Sequence, residues 1–252
     1  MIWVRRGAVV LVVYLFFLIM TLPAAWLVRF LPLPETTVLQ GVSGTVWQGE
    51  IAVLRDRRIV LDKVKWDLSF WPLIMGDLDA EVNIGTRHSD IRGQARIIAD
   101  PGGIAIYDGS LIVPAQFVGA VSNLPGRATL DGTMKYFVEE FEHGLPWCET
   151  LVGDIFWESA SFNNNMIKTP VALGQISTQL SCVDGQVVFD LDGSQSPLAA
   201  SGSIRLPDRQ RAVGTIMLNP DRSLPKEVIE GLEFLSEKTP EGLKFEFDTK
   251  LP

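Results

Sequence analysis

The sequence predicts a mainly β protein, in which an N-terminal transmembrane helix precedes a mostly antiparallel, curved β-sheet domain with one or two short helices. Three observations lead to this fold class. A long uncharged apolar run lies near the N-terminus, apolar and polar residues alternate along the later chain, and Asp-Gly pairs recur between apolar segments. A length of 252 residues with 47% hydrophobic content suits one large β domain or two small ones and excludes a disordered chain.

The uncharged run comprises the 22 residues from Gly7 to Val28, between Arg6 and Arg29. As a helix rising about 1.5 Å per residue it spans roughly 33 Å, close to the thickness of a bilayer core. Two arginines precede the run and one follows it, so the positive-inside rule keeps the N-terminus in the cytoplasm and exports the rest. A cleavable signal peptide is the alternative, although its apolar region usually has only about 7–15 residues.

This run divides the chain into four segments. Residues 1–6 are predicted as a cytoplasmic N-terminus, 7–28 as the transmembrane anchor, 29–40 as a linker and 41–252 as the exported β-rich domain. Two prolines in the linker favour an extended connection over a helix.

Alternation of apolar and polar residues predicts the strands. In residues 64–70 apolar side chains alternate with Lys65, Asp67 and Ser69, and the same period of two recurs in 78–84 and 243–247. This period turns one face of a strand toward a core and the other toward solvent, as in an antiparallel sheet.

Four Asp-Gly pairs predict hairpin turns and hence a meandering sheet, because a type I′ turn needs positive φ at both central residues. The pairs are Asp108-Gly109, Asp131-Gly132, Asp184-Gly185 and Asp192-Gly193.

Two segments are predicted as helices. Residues 114–124 begin with a proline, which suits the first turn of a helix. Residues 225–237 carry an apolar face that should pack on the sheet. That face comprises Val228, Ile229, Leu232 and Leu235.

The two cysteines, Cys148 and Cys182, lie on the exported side of the anchor. In an oxidising compartment two cysteines without a third favour one disulfide, which closes a loop of about 35 residues. Buried free thiols are the alternative. A zinc site is disfavoured, because His88 and His143 lie far apart and have no ligand spacing. No metal or other cofactor is expected.

Sequence motifs for catalysis are missing, which predicts a protein that is not an enzyme. The triplet from His88 to Asp90 is interpreted as a polar turn, since adjacent residues cannot converge as a triad. The carboxylates of Glu139, Glu140 and Glu142 lack calcium-loop spacing and are interpreted as an exposed acidic edge. A net charge of −8 argues against nucleic acid as a partner.

Tryptophans of the exported domain are the most informative aromatic residues. Trp47, Trp66 and Trp157 are predicted to be packing centres between the sheet and its helices. The functional alternative is an apolar groove for an acyl chain, which would make lipid a partner. Its predicted lining is Trp66, Leu68, Leu78 and Val82.

Several phrases of the sequence, in this order and spacing, resemble the type II secretion system protein N family. They are LQGVSGTVWQGE (39–50), VKWDLSFWPLIMGDLDAEV (64–82), GLPWCETLVGDIFWESASF (144–162), TPVALGQISTQLSCVDGQVVFDL (169–191), ASGSIRL (200–206) and TPEGLKFEFDTKL (239–251). The stretch NNNMIK (163–168) departs from any recognisable pattern.

The resemblance implies a single-pass inner-membrane protein whose exported domain is periplasmic. It implies a non-catalytic accessory or scaffold component of the machinery that exports folded proteins across the outer membrane. Its partners would be other inner-membrane and periplasmic secretion components, together with the membrane itself through residues 7–28. A fold-level likeness to AsmA-like lipid-transport proteins gives the alternative, a periplasmic carrier of lipids or other hydrophobes.

Overall fold

The computed structural model describes residues 2–28, 34, 36–56, 59–121, 129–163 and 170–250. Helices occupy a small part of them. The helices are α1 (Ile2–Met20), α2 (Ala24–Val28), α3 (Phe70–Met75), α4 (Ala115–Val121) and α5 (Lys226–Leu235). The strands are β1 (Thr37–Gly44), β2 (Gln48–Asp56), β3 (Ile59–Leu68), β4 (Leu78–Ile84), β5 (Arg92–Asp100), β6 (Gly103–Pro114), β7 (Thr129–His143), β8 (Cys148–Asn163), β9 (Val171–Val183), β10 (Gln186–Gly193), β11 (Ala200–Asp208), β12 (Arg211–Leu218), β13 (Glu237–Thr239) and β14 (Gly242–Lys250).

The strands form one antiparallel sheet, which confirms the predicted mainly β meander. Each strand pairs with the next along the chain, except that β14 lies between β12 and β13. In such a meander successive connections alternate between the two ends of the sheet. The β1–β2 turn and α3 share one end, which we call the junction end. Helices α4 and α5 follow strands that finish at the other end, the helix end.

The predicted alternation is confirmed in the pairing of β3 with β4. Trp66 lies opposite Val82, and Val64 lies opposite Ile84, all with partly buried side chains. The intervening Lys65 and the neighbouring Asp67 are exposed. A period of two therefore places the apolar residues of both strands on the same face.

One Asp-Gly pair forms the expected hairpin turn and two others do not. Asp184-Gly185 connects β9 to β10, and both residues have positive φ. Asp108-Gly109 lies inside β6 at a shift in the strand register. Gln94 pairs with Ser110 and Arg96 with Tyr107, so one residue of β5 lies opposite two residues of β6. The pair thus forms a β-bulge, and the predicted turn is wrong. Positive φ suits a bulge as well as a turn, and the neighbouring strands decide between them.

Asp131-Gly132 is the second wrong turn, because it lies within β7 at another register shift. Gly132 has a φ of 106°, and a Cβ there would approach the Ser159 carbonyl. Asp192-Gly193 ends β10, as expected for a pair that follows a strand.

The N-terminal apolar segment, predicted as one helix over 7–28, contains two helices. α1 ends at Met20 and α2 begins at Ala24, because Pro23 has no N–H with which to continue the helical hydrogen bonds. Apolar side chains from Val9 to Ile19 are exposed on all sides of α1. Among the described residues, no helix combines the length and the apolar character needed to cross a membrane.

Strand β1 begins at Thr37, within the segment 29–40 that the sequence predicts as a linker. Its residues from Thr37 to Gln40 and from Val42 to Gly44 pair with β2. Residues 29–33 and 35 lie outside the described residues.

The two predicted helices are confirmed, with one change of packing. α4 covers 115–121 of the first segment, and 122–124 lie outside the described residues. In α5, Val228, Ile229 and Leu232 pack on the sheet, but Leu235 is exposed.

Two small clusters of buried residues lie beneath α5, and they form the core at the helix end. The first comprises Ala160, Val171, Leu173 and Leu224, and the second comprises Ala200, Leu218 and Leu243. At the junction end, Cys148 and Cys182 form the predicted disulfide, with their Cα atoms 6.1 Å apart. The sheet is therefore held at one end by a helix and tied at the other by a covalent bond.

Candidate functional site: an aromatic junction and an apolar cavity

Trp47 joins the N-terminal helix to the sheet. Its indole Nε1–H donates a 2.9 Å hydrogen bond to the Ile19 carbonyl in α1. Its ring meets the Phe70 ring edge-on at 5.0 Å between centroids, and Phe70 lies 6.4 Å from Phe16 of α1 and 5.7 Å from Trp71. Pairs of this geometry contribute about 0.5–1.5 kcal/mol each. We call this cluster, Phe16, Trp47, Phe70 and Trp71, the aromatic junction.

Backbone hydrogen bonds fix the same junction. Pro23 forms an antiparallel bridge with Thr45, and the Val46 N–H donates to the Leu22 carbonyl at 3.0 Å. In an unbroken helix the Ile19 carbonyl would accept from the N–H of residue 23, which a proline lacks. The Ile19 carbonyl instead accepts from the Leu22 N–H at 3.3 Å and from the indole N–H of Trp47, so the break in the helix leaves an acceptor through which the helix binds the sheet.

Trp66 lies behind the junction and supports the turn that carries Trp47. Its Nε1–H donates a 2.9 Å hydrogen bond to the Val46 carbonyl. Its ring covers Gly49, where a Cβ would clash with the ring atoms. Gly49 thus permits a close approach that another residue would block.

α3 begins at the junction, and most of its apolar side chains are exposed. The nine residues from Leu68 to Gly76 carry no charge, and no residue of α3 is buried. Gly76 ends the helix at a φ of 101°, and its N–H donates to the Leu73 carbonyl. The side chain of Trp71 is 73% exposed and that of Met75 is 82% exposed. This helix was not predicted from the sequence.

A separate apolar cavity of about 590 Å³ lies on one face of the sheet. Seven neighbouring strands, β7 to β12 and β14, contribute side chains to it, so the sheet curves around the space. The lining residues are Val118, Met134, Tyr136, Ile155, Trp157, Leu173, Ile176, Thr178, Leu191, Leu198, Ala200, Ile216, Leu218, Leu232, Phe245 and Phe247. Its volume falls within the range of small-molecule sites, about 300–1,000 Å³.

Two of the lining residues carry hydroxyl groups, Tyr136 and Thr178. The Tyr136 hydroxyl donates to the Met134 thioether at 3.3 Å, a weak acceptor. A tyrosine hydroxyl is neutral at pH 7, and burial raises the pKa of Tyr136 further. The cavity therefore offers a mainly apolar surface with a neutral hydrogen-bonding group.

Trp157 is the one residue of the predicted packing and groove set that lines the cavity. Its Nε1–H donates to the Asp131 carbonyl at 2.9 Å, and its ring packs against the buried cluster of β8 and β9. Trp47, Trp66 and Trp157, the tryptophans predicted as packing centres, each donate the indole N–H to a backbone carbonyl.

The other predicted groove residues lie in the N-terminal half of the sheet. Leu68 and Val82 occupy β3 and β4, and Leu78 begins β4 with an exposed side chain. None of these three lines the cavity. Most of the lining residues that the sequence analysis missed lie two positions apart on a strand, a pattern that the sequence shows. Their assignment to one common space depends on the curvature of the sheet, which the sequence does not show.

Charged groups near the N-terminal strands form pairs. Arg96 on β5 donates from Nε and Nη2 to the two carboxylate oxygens of Asp79 on β4, at 3.0 and 2.8 Å. These hydrogen bonds hold the pKa of Asp79 below its ordinary value. On β7, Glu142 accepts from the Tyr107 hydroxyl at 2.9 Å, which raises the pKa of Tyr107. Glu139 on the same strand is exposed.

The residues considered for catalysis lie in a polar turn between β4 and β5. The backbone N–H of His88 donates to the Thr86 hydroxyl, which also lies 3.1 Å from the Ser89 hydroxyl. His88 and Asp90 are exposed. Within the part of the chain that the structure describes, no three His, Cys, Asp or Glu residues are grouped to hold a metal ion.

The chain is similar over most of its length to proteins of one family. The family model of type II secretion system (T2SS) protein N matches residues 36–245. A type II secretion system protein N of Aeromonas hydrophila is 33% identical over 239 residues, which cover 94% of this chain and 93% of that protein. The protein of that name in Vibrio cholerae is 28% identical over 228 residues, which cover 88% and 87%. No solved structure is significantly similar.

Proposed function

The chain belongs to the type II secretion system protein N family, and from that premise we propose that it acts as a non-catalytic scaffold tethered to the inner membrane. Membership of the family supports a role in type II secretion. The finer proposal is that the N-terminal segment 7–28 lies in the inner membrane while the β sheet lies in the periplasm. There the sheet would contact other components of the secretion machinery.

The aromatic junction is the observation that carries this proposal. Trp47 binds the Ile19 carbonyl and packs against Phe70, so the apolar helix is connected to the sheet by side chains as well as by the chain itself. A flexible tether would need no such contacts. A scaffold that positions partners relative to the membrane does need them, because its two parts must keep a defined orientation.

The tether is supported by the apolar N-terminal segment. The 22 residues from Gly7 to Val28 carry no charge, and two arginines precede them. Large apolar side chains of α1 are exposed in every direction around the helix. A helix that is apolar all round requires an apolar environment.

Exchange of residues 1–29 for a cleavable signal sequence tests the tethered scaffold. We expect the shortened chain to reach the periplasm, to form the Cys148–Cys182 disulfide, and to lose co-isolation with inner-membrane secretion components. The matched control is the full chain expressed at the same level. Undiminished co-isolation and secretion with the shortened chain would contradict the tether.

The apolar cavity supports a second candidate function, the binding of an apolar ligand. Its test uses a matched pair of substitutions on β9, where Thr178 lines the cavity and the adjacent Gln179 is exposed. Mass spectrometry of purified protein should detect a lipid that is bound to the parent and to the Gln179→Phe variant but lost from the Thr178→Phe variant. An equal lipid content in all three would exclude the cavity as its site.

A further inference from the structure

We propose that α3 is a second membrane-contacting element, which inserts its exposed apolar side chains into the interfacial region of the bilayer beside α1. This inference rests on the proposed tether, because it takes the membrane to lie at α1. It adds that the β domain itself contacts lipid, through a segment distant in sequence from the N-terminal anchor.

The composition and exposure of α3 are the first observation. The helix has the sequence FWPLIM, and its outward side chains include Trp71, Ile74 and Met75, the last 82% exposed. Exposed apolar patches of this kind mark contacts with membranes or proteins. Tryptophan prefers the headgroup level of a bilayer, and the absence of charge from Leu68 to Gly76 removes the main cost of insertion.

The position of α3 is the second observation, and it selects lipid as the occupant. Phe70 packs between Trp47 and Phe16, so α3 lies beside the last turns of α1. Phe16 precedes the end of α1 by four residues, or about 6 Å along its axis. Interfacial helices lie about 5–10 Å deep, so a bilayer that surrounds α1 to its end would meet α3 at that depth.

The attachment of α3 is the third observation, because hydrogen bonds hold its first residues to the sheet. The Leu68 N–H donates to the Trp47 carbonyl at 2.6 Å, and the Ser69 N–H donates to the Asp79 carbonyl at 2.8 Å. At the other end, the Asp77 N–H donates to the Pro72 carbonyl at 3.0 Å and closes the last turn of the helix before β4 begins at Leu78. The bonds at the start of α3 hold it beside Trp47, with Trp71 and Met75 exposed.

Fluorescence quenching by brominated lipid tests the proposal on the full chain in nanodiscs. Three variants, Met75→Cys, Leu11→Cys and Phe234→Cys, each receive one environment-sensitive fluorophore, while the native cysteines remain paired in their disulfide. Met75 reports on α3, Leu11 on α1, and Phe234 is an exposed apolar control on α5 at the helix end of the sheet. The quencher is a mixture of phosphatidylcholines brominated at shallow and at deep positions of the acyl chains, so that it reaches both the interfacial and the central depth of the bilayer.

We expect brominated lipid to quench and blue-shift the probes at Met75 and Leu11, but to leave the probe at Phe234 unchanged. Quenching at Leu11 alone would overturn the role of α3 and leave the tether intact. Quenching at Met75 without Leu11 would refute the tether and with it the insertion of α3 beside a membrane-embedded α1. Quenching at neither would refute both. Equal quenching at Phe234 would overturn a specific α3 contact, because the whole domain would then lie on the lipid.

Discussion

Removal of the disulfide should lower the thermal stability of the β domain by an amount that the enclosed loop determines. Cys148 and Cys182 are separated by 34 residues. In the chain-entropy model a cross-link over this distance destabilises the unfolded chain by about 4 kcal/mol. In a domain of 150–250 residues each kcal/mol corresponds to about 2–4 °C in melting temperature. We therefore expect the melting temperature to fall by about 8–16 °C when the bond is absent.

Two ways of removing the bond separate its covalent effect from packing. Reductant breaks the bond but keeps both sulfur atoms in place, whereas the Cys148→Ala, Cys182→Ala double variant also removes them. Cys148 is buried, so the alanine variant should melt slightly below the reduced parent, because a small void remains. Thermal unfolding of the full chain in detergent, followed by circular dichroism with and without reductant, measures both effects.

The expected pattern is a large shift of the parent chain on reduction and none for the double variant. An equal shift in both chains would show that the reductant acts elsewhere. A shift of the parent below about 2 °C would refute the loop-entropy reasoning for this domain, since the reduced unfolded chain would then have gained little freedom.

Three further predictions concern single residues. Trp47→Phe keeps an aromatic ring but removes the donor to Ile19, and it should speed hydrogen exchange of the backbone amides from Thr21 to Val28 while the amides of β7 and β8 stay protected. Asp79→Asn should reduce the dependence of the free energy of unfolding on pH in the acid range, as measured by urea unfolding. The pKa of Asp79 is lowered beside Arg96, so this carboxylate stabilises the fold above the unfolded pKa of about 3.9. That stabilisation is lost as the pH falls through the lower pKa of the folded state. Gly231→Ala, in α5 with open space around the position of its Cβ, should raise the free energy of unfolding by up to about 1 kcal/mol, and a loss of stability in the same assay would contradict its exposed helical setting.

The strands could be predicted from the sequence because their signal is local. Alternation at Trp66 and its neighbours needs only the pleat of a strand to separate two faces. The Asp-Gly pairs were ambiguous for the converse reason. Asp108-Gly109 and Asp184-Gly185 have the same local preference for positive φ, yet one forms a bulge and the other a turn. The register of the neighbouring strands decides, and it is set by contacts distant in sequence.

The candidate site was less predictable than the fold. Trp47 and Trp157 were predicted as packing residues, but their hydrogen-bond acceptors, at Ile19 and Asp131, become neighbours only in the folded chain. The cavity requires seven strands to curve around one space, and no pattern within a single strand encodes that curvature. The break at Pro23 follows from elementary backbone chemistry, whereas the overall lack of charge in the segment favoured one continuous helix.

The antiparallel meander gives the two ends of the sheet different surroundings, and this difference can be tested. The aromatic junction and α3 lie at the end where α1 joins the sheet, whereas α5 packs at the other end beside the cavity. If α1 and α3 lie at the membrane, the helix end projects away from it and is available to other secretion components. A photocrosslinker at Phe234, 88% exposed on α5, should then capture protein in whole cells, whereas the same group at Met75 should capture lipid. Capture of protein at Met75 and of lipid at Phe234 would require the opposite orientation of the sheet.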